Sequence, residues 1–224
     1  MSRSADPLAK STLLRAAEAV FAEKGVEGAK VEEITQRAGV SKGAFYLHFA
    51  SKEEAFRHVL DAFFARCSAL ITPPNAFDDL PTDPGELIAF ALEHDVSTFE
   101  FLWQNRAMLR IIDGCQGTHR YLLDAFLDST QNNALDWLKW LQGAGLCRRD
   151  VDLSIASALL CGGYRALTTR MLAQDKRPPL RAWLADAQQV FLGGLATERL
   201  REAFEAARRP RARRAANDTQ KVER

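Results

Sequence analysis

Apolar residues recur at helical spacing along almost the whole chain, and no segment alternates convincingly in the way that a β-strand does. The pattern predicts an all-α protein with about nine helices. Its N-terminal helices are short, and its later helices are mostly long. The predicted helices span Leu8–Lys24, Val31–Ala38, Lys42–Phe49, Lys52–Ile71, Glu86–Trp103, Asn105–Asp113, His119–Leu141, Asp152–Leu172 and Leu180–Ala207.

Two short helices joined by a glycine are predicted near the N-terminus. Ile34 and Ala38 lie one helical turn apart, so they share the buried side of the first helix. Gly39 ends that helix, because glycine adopts the left-handed conformation without a Cβ penalty. Ser41 is a suitable N-cap for the second helix. This arrangement is the helix-turn-helix pattern, whose second helix lies in the major groove of DNA.

The second of these helices has an apolar side and a polar side. Phe45 and Phe49 are separated by four residues and face the core, whereas Lys42, Gly43 and Tyr46 lie nearer the opposite side. The alternative is an αα-hairpin whose second helix only packs, but packing alone gives little reason for this polar set. With the preceding helix the pair predicts a three-helix module, whose core consists of Leu14, Ala17, Phe21, Val31, Ile34, Ala38, Val40, Phe45 and Phe49.

A match to a known family begins at the end of the first short helix. Residues 38–56 read AGVSKGAFYLHFASKEEAF, and they resemble the DNA-binding signature of TetR-type (tetracycline-repressor-like) transcriptional regulators. The resemblance extends upstream through residues 13–34, so it covers roughly the first quarter of the chain closely. Two positions depart from the family pattern. Ala29–Lys30 stands where Ser or Thr usually caps the first short helix, and Thr35 stands where Ala is usual.

The resemblance implies a homodimeric repressor that a small apolar or aromatic effector releases from a palindromic double-stranded DNA operator. It implies a helix-turn-helix DNA-binding domain at residues 1–50 and a helical ligand-binding and dimerisation domain at 51–207. Residues 208–224 are Arg-rich and predicted to be a disordered tail. The expected DNA contacts are Ser41, Lys42, Gly43, Ala44, Tyr46, Leu47, His48 and Lys52.

The last two predicted helices resemble the part of the family that forms the dimer. The first is rich in small residues, which allow helices to approach closely, and the second carries Trp183, Val190, Phe191 and Leu195. Both helices are equally compatible with a role in the core alone. For the effector, aromatic residues of the middle helices stand beside polar groups, as in apolar ligand clefts. The expected ligand-binding residues are Trp103, Arg106, Phe99, Tyr121, Trp137 and Tyr164.

Composition adds few constraints. Apolar residues make up 47% and charged residues 26%, and the net charge of +1 offers no global attraction to nucleic acid. Four cysteines without CxxC pairing indicate reduced thiols rather than a metal site. No catalytic signature or cofactor motif occurs, so an enzyme is not expected. Without a signal peptide or a membrane-spanning segment, the expected location is the cytoplasm.

Two other functions remain open at the level of sequence. A helical interaction protein would retain the helix-turn-helix as a packing element that no longer binds DNA. An activator of the same family would bind DNA in the same way, because the sign of regulation depends on where the operator lies relative to a promoter. Sequence-specific and salt-dependent DNA binding distinguishes the first of these from a regulator.

Overall fold

The structure is a computed structural model that describes residues 7–71, 80–114 and 120–208. Within these ranges the chain forms ten α-helices and no β-strand, which confirms the all-α prediction. No helix in the described ranges is long and apolar enough to cross a membrane. In chain order, α1 to α10 span Pro7–Gly28, Val31–Ala38, Lys42–Tyr46, Lys52–Ile71, Pro84–Gln104, Arg106–Gly114, Arg120–Gly143, Leu153–Leu172, Leu180–Leu195 and Glu198–Arg208.

The tenth helix arises because the last predicted helix, Leu180–Ala207, is two helices in the structure. Ala196 separates them with an extended backbone conformation, φ −68° and ψ 140°. It forms an isolated antiparallel bridge with Cys147, and the Arg148 amide donates to the Leu195 carbonyl at 2.9 Å. A helix cannot continue through a backbone that is paired with a distant segment, so α9 ends here.

The first helix is interrupted at a glycine. The long part of α1 ends before Gly25, in agreement with the predicted helix Leu8–Lys24, and a short helical segment follows to Gly28. Gly25 has φ 72° and ψ 173°, a conformation that residues with a side chain rarely adopt. The glycine therefore interrupts α1 and separates its two helical segments.

The recognition helix α3 is shorter than predicted. It ends at Tyr46 rather than Phe49, and Leu47 and His48 form a turn. In that turn the His48 amide donates to the Phe45 carbonyl at 3.0 Å, which is the tighter i to i−3 bonding common at helix ends. The chain must reverse direction here, because the cap of α4 follows immediately at Ser51.

The described residues group into two compact units. The first comprises Met1–Thr72, Thr98–Thr130 and Ala166–Pro178, and the second comprises Pro73–Ser97, Gln131–Arg165 and Pro179–Arg224. The division groups residues by their contacts and does not test where DNA binding ends, so a functional boundary at residue 50 stays a prediction. The predicted disordered tail lies outside the described residues from position 209 onward.

All nine residues predicted for the core of the three-helix module lie in the core of the first unit. Five of them are buried, and Leu14, Val31, Ala38 and Val40 are partly buried against the same cluster. Phenylalanine dominates this core, and its largest fully buried side chains are Phe21, Phe45, Phe49, Phe56 and Phe63. Met108 and Ile112 of α6 belong to the same cluster, so the core extends beyond the module.

The second unit has a separate apolar core built from α5, α7, α8, α9 and α10. Helices α8 and α9 approach closely at Gly163, where an added Cβ would lie 2.9 Å from Cε2 of Phe191. A side chain at position 163 would therefore require the Phe191 ring to move. The buried members of this core include Leu87, Ile88, Leu138, Leu141, Leu146, Ala156, Ala196 and Leu200.

Candidate nucleic-acid interface

The turn between α2 and α3 has the geometry that the sequence predicts. Gly39 adopts the left-handed conformation with φ 69° and ψ 29°. Its amide donates to the Gln36 carbonyl at 3.2 Å, and the Val40 amide donates to the Thr35 carbonyl at 3.0 Å. These bonds satisfy carbonyls that the end of α2 leaves open, and they set the direction in which α3 starts.

Ser41 caps α3 as predicted, because the Ala44 amide donates to Ser41 Oγ at 3.2 Å. The two departures from the family pattern are also accommodated. Lys30 supplies no side-chain cap to α2, but its own amide donates to Glu33 Oε2 at 3.3 Å. Thr35 is buried, and its hydroxyl donates to the Glu32 carbonyl at 3.0 Å. Neither change leaves a buried polar group unsatisfied.

Helix α3 separates a buried side from an exposed side. Phe45 and Phe49 are 0% and 1% exposed, whereas Tyr46 and Leu47 are 50% and 56% exposed. The Tyr46 ring meets the buried Phe45 ring edge-on, with ring centres 5.4 Å apart, but about half of its surface stays open to solvent, as does that of Leu47. The remaining predicted DNA contacts are exposed at Ser41, Lys42 and Gly43 and half-buried at Ala44, His48 and Lys52.

The start of α4 is held against the module by two polar contacts. Ser51 caps the helix, since the Glu54 amide donates to Ser51 Oγ at 3.2 Å. The carboxylate of Glu54 accepts from the Ala50 amide at 2.5 Å, one residue earlier than the N-cap amide that a capping box uses. Lys52 Nζ donates to the carbonyl of Glu27 in α1 at 3.3 Å. This bond places the predicted phosphate contact of α4 beside the C-terminal part of α1.

The charges of the module are almost balanced. Residues 8–58 contain eight Lys or Arg and seven Glu. Several cations lie within ion-pair distance of a glutamate, and each of three pairs has an N–O distance of 2.6 Å: Lys24–Glu33, Arg37–Glu23 and Lys42–Glu32. The Lys42 ammonium lowers the pKa of Glu32 by hydrogen bonding, and Glu32 raises the pKa of Lys42. Four of the eight cations, Lys24, Arg37, Lys42 and Arg57, are therefore paired with a glutamate.

The predicted effector-binding residues are divided between the two compact units. Phe99, Trp103, Arg106 and Tyr121 belong to the first. Phe99 and Trp103 are buried, and the guanidinium of Arg106 lies 4.5 Å from the centre of the Trp103 ring. Arg106 also donates to the Trp103 carbonyl at 3.2 Å. Tyr121 is 56% exposed, so its side chain contributes little to a closed pocket.

The second unit contains the other two predicted effector residues in separate contacts. Trp137 stacks on Trp140, with ring centres 5.3 Å apart and planes 14° apart. Tyr164 donates a hydrogen bond to Asp95, and Gln188 donates to the same carboxylate oxygen at 3.4 Å. Burial raises the pKa of Asp95, and the two donors oppose that shift. Asp95 and Tyr164 thus form a desolvated polar cluster with Gln188.

Sequence reasoning missed Asp95 and Gln188, although a signal was present. Asp95 lies four residues before Phe99 and seven after Ile88, which places a carboxylate on the core register of α5. Gln188 follows Leu184 by four residues on the buried side of α9. A polar side chain at a core position indicates a buried partner, because an unpaired one would be costly.

The three cysteines in the described ranges are free thiols. Cys67, Cys147 and Cys161 form no disulfide, and burial raises the pKa of each thiol, to about 12 for Cys67. Thiols so protonated are poor nucleophiles and poor metal ligands. Among the described residues no group of three or more His, Cys, Asp or Glu side chains is arranged to hold a metal ion.

The two helices predicted to form a dimer expose apolar residues. On α8, Ile155 and Leu159 are 59% and 64% exposed and are four residues apart, and Val190 of α9 is 77% exposed. Other residues predicted for an interface are already used within the chain. Ala156 and Ser157 are buried, and Gly163 packs against Phe191. The surface that α8 and α9 leave open for a partner is therefore smaller than the number of small residues in α8 predicts.

The sequence is similar to a known family and to several named proteins. The family described as bacterial regulatory proteins, tetR family, matches residues 13–59, which include the helix-turn-helix and the start of α4. The HTH-type transcriptional repressor DhaR of Mycobacterium sp. (strain GP1) is 26% identical over 77% of this chain and 87% of its own length. The A-factor receptor protein of Streptomyces griseus is 36% identical over 83% of this chain and 63% of the receptor.

Solved structures share the fold over most of the chain. SmeT, the repressor of the Stenotrophomonas maltophilia multidrug efflux pump SmeDEF, superposes with a TM-score of 0.68. The superposition covers 84% of this chain and 91% of SmeT at 20% sequence identity. At that identity the similarity concerns the arrangement of helices. The shared arrangement of helices therefore extends beyond residues 13–59, which the family model matches.

Proposed function

The chain belongs to the TetR family of bacterial regulatory proteins, and on that premise we propose that it is a homodimeric repressor released from a palindromic operator by a small effector. Two of the similar proteins, DhaR and SmeT, are named as repressors. The dimer, the direction of regulation, the effector and the individual contact residues are the parts that the proposal adds.

The exposed side of α3 carries the proposal. Phe45 and Phe49 fix the helix to the core, so its other side is free to enter the major groove without unfolding. Tyr46, Lys42 and Gly43 are assigned to base edges or their sugar-phosphate margin. Ser41, His48 and Lys52 are assigned to phosphates, with Ala44 and Leu47 completing the contact surface.

A dimer follows from the small size of this surface. One short recognition helix makes few contacts, whereas two helices bind half-sites separated by roughly one turn of DNA, about 34–36 Å. Ile155 and Leu159 are one helical turn apart on an exposed face of α8, and Val190 of α9 is exposed as well. They support a self-association surface on α8 and α9, because exposed apolar side chains that share a face favour burial in a partner. Two identical chains would provide such a partner.

The proposed effector is apolar or aromatic and binds among the middle helices. The candidate contacts form two separate groups, each considered by itself: Phe99, Trp103, Arg106 and Tyr121 in the first unit, and Trp137 and Tyr164 in the second. The effector regulates by binding more tightly to a conformer in which the two recognition helices do not match the half-site spacing. That difference in affinity is the whole driving force for release.

The test is a selection of random DNA duplexes by the purified protein, followed by anisotropy titrations of the selected site. A palindromic consensus with half-sites about one helical turn apart is expected. Tyr46→Ala should weaken operator binding by about tenfold or more, since a good base contact contributes about 1–3 kcal/mol. Phe90→Ala, which removes a 39% exposed aromatic ring from the second unit, is the matched control and should bind normally.

Unchanged affinity of the Tyr46→Ala variant would refute the assigned face of α3. Binding without any consensus sequence, or no binding at all, would instead favour a helical interaction protein. Circular dichroism of both variants separates a loss of DNA contacts from a loss of folded protein.

A further inference from the structure

The ion pair between Glu32 and Lys42 lies at the start of the recognition helix. Lys42 is the first residue of α3, and its Nζ lies 2.6 Å from Oε1 of Glu32 in the first turn of α2. The side chains of Lys42 and Glu32 are 54% and 61% exposed. Both groups are therefore open to solvent and to an approaching phosphate.

We propose that Glu32 is an internal competitor for the DNA phosphate that Lys42 binds, and that it restrains the affinity of the recognition helix for DNA. The inference rests on the proposed function of α3. The Glu32 carboxylate holds the ammonium in the same kind of charge-assisted contact that a phosphate oxygen offers. A phosphate must displace this carboxylate or share the ammonium with it.

Two properties of the module favour competition over a mechanical role. The pair is exposed, and exposed ion pairs contribute little to stability, so breaking it does not unfold α2 or α3. The direction of α3 is already set by Gly39 and by the Ser41 cap. Glu32 is thus not needed to orient the helix, while its negative charge lies beside the surface that meets DNA.

Because positive and negative charges nearly balance in residues 8–58, the competition for Lys42 affects the affinity for DNA. Affinity for DNA of any sequence arises mainly from cations that neutralise phosphates. With eight Lys or Arg against seven Glu, the availability of Lys42, the one cation of α3, matters for that affinity. By occupying Lys42, Glu32 lowers binding to all duplexes and leaves base-edge contacts such as Tyr46 to select the operator.

The test compares two variants that remove the same charge from the same module. Glu32→Gln frees Lys42, whereas Glu23→Gln frees Arg37 of α2, a residue outside the proposed DNA contacts. Each variant is titrated at low salt with a duplex of random sequence and with the selected operator. Glu32→Gln should tighten binding to both duplexes by about two- to fivefold relative to Glu23→Gln, the range expected for an exposed ion pair.

A double-mutant cycle assigns the gain to Lys42. In a Lys42→Met background, Glu32→Gln should have no more effect than Glu23→Gln, because no ammonium remains to be released. The gain should also shrink as salt concentration rises, since salt screens exposed charges. Thermal unfolding of each variant checks that the fold is unchanged.

Three other results of these titrations would contradict the inference, and each has a different explanation. Equal affinities of Glu32→Gln and Glu23→Gln would show that only net charge matters. Weaker binding by Glu32→Gln would show that the pair supports α3 rather than competing with DNA. Persistence of the gain without Lys42 would locate the effect elsewhere. Wild-type protein that binds neither duplex would instead refute the proposed function itself.

Discussion

The three-helix module at the N-terminus and the second compact unit both have an apolar core, but the second unit also contains a polar cluster of residues that are distant in sequence. The module is filled by phenylalanine and aliphatic side chains that lie close together in sequence. The second unit places Asp95 in contact with Tyr164 and Gln188, which are 69 and 93 residues away. A core of neighbours can be inferred from a local pattern, whereas a polar cluster assembled from three helices cannot.

The largest effect should come from breaking the apolar side of α3. Phe45 is fully buried, and its ring lies 5.3 Å from that of Phe49, so Phe45→Ala should lower the free energy of unfolding by about 3–5 kcal/mol. Tyr46→Ala, one residue later and 50% exposed, removes one edge-on ring contact with Phe45 and should lower it by only about 1 kcal/mol or less. Urea unfolding followed by circular dichroism measures both.

Similar losses in the two variants would contradict the division of α3 into a buried and an exposed side. A large loss in Tyr46→Ala would mean that the tyrosine supports the fold, and its effect on DNA binding would then need another explanation.

In the second unit, the close approach of α8 and α9 should be sensitive to a single methyl group. Gly163→Ala would place Cβ 2.9 Å from Cε2 and 3.2 Å from Cζ of Phe191. The expected cost is about 1–3 kcal/mol of unfolding free energy, reduced by the roughly 0.5–1 kcal/mol that alanine gains over glycine in a helix. Denaturant unfolding of the single variant gives the net loss.

The Phe191→Leu background is the matched control, because leucine removes the ring atoms that a methyl at position 163 would meet. There Gly163→Ala should be neutral or stabilising. An equal loss in both backgrounds would indicate that backbone strain, and not contact with Phe191, makes glycine necessary.

The same contrast explains how much the sequence could predict. Gly39, Ser41, Phe45 and Phe49 lie within eleven residues, and their turn, cap and burial follow from local rules. The break at Ala196 does not, because it depends on pairing with Cys147 of a distant turn. Nothing near residue 196 in the sequence marks that partner.

The predicted effector residues show the same limit. Aromatic composition identified Trp103 and Tyr164, but composition does not state which side chains face each other. In the structure Arg106 lies over Trp103, and Tyr164 meets a carboxylate. An effector-binding role for these residues therefore stays a proposal, whereas the layout of the DNA-binding module could be predicted almost completely.

The smallest expected effect is a dependence of the unfolding free energy on pH, which arises from the Asp95 carboxyl of the polar cluster. Because burial raises the folded-state pKa of Asp95 above the ordinary value of an aspartate, the native state binds a proton more tightly than the unfolded state. The stabilisation is complete below the unfolded pKa and is lost as pH rises through the folded pKa. Asp95→Asn keeps an oxygen acceptor for Tyr164 and Gln188 but cannot ionise. Its unfolding free energy should therefore rise relative to wild type from about pH 4 upward.

Urea unfolding of both proteins between pH 4 and 8 measures this difference. The comparison isolates Asp95, because the carboxylates with lowered pKa, such as Glu23, Glu32 and Glu33, occur in both proteins and their opposite contribution cancels. A difference that does not change with pH would mean that the Asp95 carboxylate ionises as easily in the folded chain as in the unfolded one. The cluster would then be a solvated polar contact. The two regions would differ only in how far apart in sequence their contacting residues lie.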